Sequence, residues 1–169
     1  MYDLVDRPVS ILPEGSRFLL WAMRAWLTVF GQGECPPARL APPFLKMSAI
    51  EALPHFHIAM GTLNCAGREA IHFHCPHRGE ISDCEAVLLR LWSDMADGDE
   101  CAAIAVIEML VRDDAAPHLF SALRAALPGL KAAGLTPVIA PLTGYTPPAM
   151  RNAPRWCLPA RRGTGRTRR

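Results

Sequence analysis

The stretch Arg68-Glu69-Ala70-Ile71-His72-Phe73-His74-Cys75-Pro76-His77-Arg78-Gly79-Glu80-Ile81-Ser82-Asp83-Cys84-Glu85 decides the fold class of this chain. In its first half Glu69, Ile71, Phe73 and Cys75 alternate with Arg68, Ala70, His72 and His74, a period of two that belongs to extended backbone. A lone strand leaves its amides and carbonyls without partners, and no second stretch of comparable strength occurs. The reading is therefore an extended connector, with no sheet. Pro76 and Gly79 turn the chain. Ser82-Asp83-Cys84-Glu85 then has capping-box spacing: the serine oxygen accepts from a free amide of the first helical turn while the glutamate reaches back. A helix over Asp83 to about Ala96 follows, with Val87, Leu88, Leu91, Trp92 and Met95 as its apolar face.

Upstream, residues 1–15 form a lead-in containing Pro8, Pro13 and Gly15, and Ser16 stands as N-cap of a helix reaching about Phe30. Its polar positions Arg17, Arg24 and Thr28 make one narrow stripe and apolar residues fill the rest of the circumference, so this helix is mostly buried. Gly31 and Gly33 end it. The prolines of Cys35-Pro36-Pro37 and Pro42-Pro43 predict a loop with at most one helical turn, followed by a short helix over Phe44 to Leu53 that Pro54 terminates. Pro54 also opens the next helix, to about Ala66. Downstream, Asp97-Gly98-Asp99 separates the capped helix from a nearly all-apolar one over Glu100 to Val111. A last helix starts near Pro117, is interrupted at Pro128-Gly129 and fades by Gly134. The pair around Gly98 is no helix-turn-helix, because its second member has no basic side chains to offer base edges.

The 169 residues suit one domain, half of them hydrophobic and a fifth charged. That composition excludes a wholly disordered chain. The formal charge of +2 averages two unlike regions: residues 151–169 hold seven arginines and no acid, whereas residues 1–150 hold 11 basic and 16 acidic side chains, a net of −5. An acidic body is a poor nucleic-acid binder, so any such contact would be non-specific and made by the arginine tail. No run approaches the roughly 18 apolar residues of a membrane span. The acids around the first apolar run, with Arg24 inside it, argue against a signal peptide and for a cytoplasmic protein. Six cysteines in a reducing compartment then point to buried thiols, a metal site or a redox site.

His72, His74, Cys75, His77 and Cys84 are the candidate metal ligands, with zinc the favoured ion because neutral imidazole and thiolate are its usual donors. On extended backbone His72 and His74 share one side about 7 Å apart. Cys75 and His77 lie across a proline turn, and Cys84 or Cys65 would complete a set. The spacing matches no zinc finger or knuckle. Cys84, in the first turn of a capped helix, and Cys75, between two histidines, also admit thiol chemistry, although Asp83 and Glu85 would oppose a thiolate at Cys84. Cys35-Pro36 and Cys75-Pro76 match a haem-ligating dipeptide and rank below zinc.

Cys75-Pro76, then Ser82-Asp83 with Glu85, then Leu88-Leu89, resembles the recurrent motif of an uncharacterised family of short helical bacterial proteins in which a cysteine-rich Cys-Pro segment leads into a capped helix. His74 and His77 stand where that motif would place further cysteines. The resemblance implies a helical fold and no activity.

The expectation is an all-α domain over residues 16–135, an irregular bundle of five to six helices with an extended Cys/His-containing connector. A Pro-rich, Arg-rich disordered tail over 136–169 follows it. Functionally it is a small cytoplasmic binding or regulatory protein with zinc at the connector. The alternatives are a metal-free helical module for an unknown protein partner and a thiol-dependent enzyme or redox protein.

Overall fold

The computed structural model describes residues 4–139. Among these, six α-helices carry the architecture and no strand forms: α1 (Glu14–Gly31), α2 (Pro36–Lys46), α3 (Leu53–Ala66), α4 (Asp83–Asp97), α5 (Glu100–Leu110) and α6 (Ala116–Ala132). The protein is an all-α bundle. Two short 3-10 turns, Val9–Ile11 and Ile50–Ala52, precede α1 and α3. The core holds Trp26 of α1, Phe44 of α2, Phe56 and Met60 of α3, and Leu88 and Trp92 of α4, all at most 2% exposed. Phe44, Phe56 and Trp92 run through it as a chain of tilted rings with centroids 5.6 and 6.4 Å apart, the offset geometry that aromatic quadrupoles favour.

Three helical expectations are corrected. The proline-rich segment after Cys35 is helix, not loop. Pro36 and Pro37 occupy its opening turn, where amides have no intrahelical acceptor, and Pro42 and Pro43 deprive only the carbonyls of Ala38 and Arg39, both at exposed residues that water can serve. Burial of Leu40 and Phe44 on the opposite face outweighs that loss. The helix expected over 44–53 is absent, because the chain reverses at Ser48, whose φ is +57°, and re-forms as the 3-10 turn. Finally, α6 passes unbroken through Pro128. Pro128 and Arg124, the residue whose carbonyl loses its bond, are both exposed, and the adjoining Gly129 lies so close to Ala52 that a Cβ there would come within 2.8 Å of the Ala52 amide nitrogen.

The start of α1 also departs from expectation. The helix begins at Glu14 behind Pro13, and Ser16 is not its cap. Ser16 is buried, donating its hydroxyl to the Val138 carbonyl at 2.7 Å and accepting from the Val138 amide at 3.0 Å. The chain after α6 thus packs back on α1 and α4, with Leu135 and Pro137 buried and the Ile139 amide donating to Ser93 Oγ at 3.1 Å. Gly15 permits this approach, since a Cβ would meet the Thr136 carbonyl oxygen at 2.5 Å. The remainder of the tail, 140–169, lies outside the described residues.

The connector behaves as its sequence indicates. After α3 it makes one antiparallel bridge between Gly67 and Val111, then runs through residues 70–75 outside helix and sheet. Ile71 and Phe73 lean on the core while His72 is exposed, so the alternation in sequence becomes an alternation of burial only at these three positions; Glu69 and Cys75 are exposed and His74 is half-buried.

Candidate functional site

Arg24, on the narrow polar stripe of α1, is 2% exposed. Its partner is Glu85 of α4, 0% exposed. The guanidinium grips the carboxylate in parallel, Nε to Oε1 at 2.7 Å and Nη2 to Oε2 at 2.8 Å. Two further donations, at 2.6 Å each, run from Nη1 to the Arg78 carbonyl and from Nη2 to the Glu80 carbonyl. Glu85 also accepts from the backbone amides of Ser82 at 2.8 Å and His74 at 2.9 Å. Burial pushes the Glu85 carboxyl upward. The Arg24 hydrogen bonds, the Ser82 amide, the Arg24 charge and the His74 amide together outweigh it and hold the group below the ordinary carboxylate range.

This pair is the anchor of the connector. Residues 74–82 arch over it, and the outer side is tied to the N-terminal segment: the Val9 amide donates to the Gly79 carbonyl at 2.7 Å, the Ile81 amide to the Arg7 carbonyl at 3.1 Å and the Asp6 amide to the Ile81 carbonyl at 2.9 Å. The connector is therefore gripped by its backbone, leaving the side chains of His72, Cys75 and His77 outside. Cys75-Pro76-His77-Arg78 is a tight turn closed by the Arg78 amide on the Cys75 carbonyl at 3.0 Å. Its Cys75 and His77 are exposed, as is His72, while His74 and Cys84 are half-buried. The capping box at Ser82 forms, with Glu85 doing double duty as its returning arm and as the ion-pair partner. Cys84 sits in the first turn of that helix.

Among the described residues no group of three or more His, Cys, Asp or Glu side chains is arranged to hold a metal ion. The connector brings Cys75 and His77 onto one turn and leaves His72, His74 and Cys84 outside any such group. Cys65 is exposed at the end of α3, and the five described cysteines, Cys35, Cys65, Cys75, Cys84 and Cys101, are all free thiols. His57 is engaged elsewhere. Its Nδ1 accepts from the buried Trp26 Nε1 at 2.9 Å, which puts the neutral ring's proton on Nε2, and burial lowers its pKa below the ordinary value.

Open space lies on another face. A cleft of about 700 Å³ between α5 and the start of α6 is lined by apolar Ile104, Ile107, Ala116, Pro117 and Phe120 and by polar Arg68, Glu108, Asp113 and Ser121. Its volume falls in the range of ligand sites. Arg68 is already committed, with Nη2 paired to Asp113 and Nε donating to the Glu108 carbonyl at 3.1 Å. The Glu108 carboxylate has no cationic partner among the described residues, and neither do Asp97 and Asp99 at the α4–α5 junction. Met109, also on α5, is 59% exposed.

Neither site was fully legible beforehand. Arg24 carried a usable signal, a single charge inside an otherwise apolar helix. The cleft residues carried only an indirect one: α5 is nearly all-apolar, with more apolar positions than its packed face can bury. No helix among the described residues is long and apolar enough to cross a membrane. Comparison of the chain with protein-family models, curated proteins and solved structures returns no match, so the resemblance at Cys75-Pro76 and Ser82-Asp83 contributes nothing further.

Proposed function

We propose that the protein is a small helical binding module that accepts a short apolar segment with basic flanks, carried by a partner protein, in the cleft between α5 and α6. The observation that supports this reading is the composition of the cleft, five apolar lining residues beside polar ones among which Arg68 is neutralised by Asp113 and Glu108 remains unpaired. Apolar side chains of the partner displace water from the apolar lining, and cationic flanks meet the unpaired Glu108, which contributes chiefly register and selectivity. The free thiols favour a reducing compartment, the cytoplasm.

The test is titration of the isotope-labelled protein with an octapeptide carrying Trp-Leu between arginines, against the same peptide with glutamates in their place. Amide shifts on Ile104, Ile107 and Phe120, with about ten-fold tighter binding of the arginine peptide, are the expected outcome. Equal affinity for the two peptides, or shifts elsewhere, would overturn the reading.

A second reading retains zinc at His72, His74, Cys75, His77 and Cys84. What supports it is that Cys75 and His77 share one exposed turn, so that a rearrangement of residues 71–77 would suffice to bring further donors to an ion bound there. Elemental analysis of untagged protein, with thermal unfolding in the presence and absence of chelator, tests it. Near one equivalent of zinc lost together with stability is its expected signature, and unfolding indifferent to chelator in metal-free protein overturns it.

A further inference from the structure

We infer that the cleft between α5 and α6 is regulated by the chain's own tail, whose segment Arg155-Trp156-Cys157-Leu158-Pro159-Ala160-Arg161-Arg162 occupies it in cis. The inference rests on the cleft reading above and adds to it the identity of a competing occupant.

Three observations carry it. First, the segment has the chemistry the cleft selects: Trp156, Leu158 and Pro159 are apolar, and Arg155, Arg161 and Arg162 flank them without a single acid. An aromatic and a branched aliphatic side chain suit the lining made by Ile104, Ile107 and Phe120, and the guanidinium groups suit Glu108. Second, the described chain ends where such a path would begin. Ile139 is held at Ser93 of α4, one residue before Asp94, and α4 continues to Asp97, Asp99 and the start of α5 at Glu100. Asp97 and Asp99 have no cationic partner among the described residues, so acids free to meet arginines lie at the α4–α5 junction, on the element that holds Ile139.

Third, the reach is sufficient. Fifteen residues, 140–154, separate Ile139 from Arg155. A chain of that length spans at most about 50 Å, against a radius of gyration of about 14 Å for a domain of this size. Most of the surface is within range. A tethered segment competes at an effective concentration in the millimolar range, so even a weak contact would fill the cleft until a stronger partner displaced it.

The experiment places a photoreactive benzophenone amino acid at position 156 in the full chain and maps the cross-links by mass spectrometry, using a mixture of light and heavy isotope-labelled protein. Cross-links to Ile104, Ile107 or Phe120 within one isotopic form are the expected result. Mixed light–heavy pairs in the statistical proportion of an intermolecular contact, or cross-links only to other faces, overturn the proposal. The substitution Glu108→Arg, at an exposed position, should lower the yield by about three-fold, the scale of one surface charge pair; an unchanged yield counts against the assigned docking mode.

A peptide of residues 151–162 added to the Trp156→Ala full chain separates the two readings. Peptide binding at the cleft together with a full chain that gives no cross-link there overturns the cis contact and leaves the binding module standing. Failure of both overturns both.

Discussion

The connector over residues 70–82 and the cleft between α5 and α6 divide the properties of a functional site between them. The connector holds the residue types that do chemistry, His72, His74, Cys75 and His77, but is secured through its backbone to a buried ion pair and shows all of them except the half-buried His74 to water. The cleft holds space and an apolar lining, built from residues no motif would select. Residue type and enclosure are separate requirements: the first is written locally, the second arises where two helices diverge.

The largest way to break this comparison is to remove the connector's anchor. Glu85→Ala leaves the Arg24 guanidinium buried without its counter-charge, and about 3–5 kcal/mol of stability should be lost in urea denaturation. Amides of residues 74–82 should exchange faster with solvent, while the cleft amides change little. A loss below about 1 kcal/mol would mean that the connector is held by something else. The pH dependence has a definite sign. Because the folded-state pKa of Glu85 lies below its ordinary value, its contribution is complete above that ordinary value and disappears as pH falls through the folded value.

Next in size is Gly15→Ala, which forces a Cβ against the Thr136 carbonyl oxygen and should cost about 1–3 kcal/mol. Measured by thermal unfolding, it separates the seating of residues 135–139 on α1 from both the connector and the cleft. No effect would show that the segment's seat yields easily.

His57 gives a smaller effect with its own pH signature. Protonation at Nδ1 would force the buried Trp26 indole to give up its acceptor, and the pKa of His57 is already lowered by burial. The unfolded chain therefore binds the proton first. Stability should be fully present above the ordinary value of 6.5 and fall as pH drops from there through the lower folded value. His57→Leu should cost about 1 kcal/mol at neutral pH and abolish this slope; a slope that persists would assign it to another group.

The smallest expected effect sharpens the comparison most. Individually, His72→Ala, Cys75→Ser and His77→Ala should each stay within about 0.5 kcal/mol of the parent in metal-free buffer, because the exposed side chains contribute nothing to the anchor. Repeating the measurement with added zinc asks whether the parent alone gains stability, as mass action requires of a real site.

How far the sequence could be read follows from the range of each interaction. The capping box at Ser82 and Glu85, the break at Gly98 and the alternation from Ile71 to Phe73 all depend on neighbours within four residues, and all appear in the fold. The prolines of α2 and α6 misled the reading, since their cost depends on whether the deprived carbonyls at Ala38, Arg39 and Arg124 reach water, a property of the whole molecule. Ser16 is the same case in reverse: a residue with a good local use as a cap is employed 122 positions away on Val138.

By itself the sequence determined the class of this protein, a helical domain crossed by one non-helical connector, because hydrophobic period and turn chemistry are local. Only the tertiary structure decided that Arg24 lies inside against Glu85, that the connector's histidines and cysteines form no cluster, and that a cleft opens between α5 and α6. Each of these depends on which surfaces meet, and burial, charge pairing and empty space are properties of pairs of distant segments that no single stretch contains.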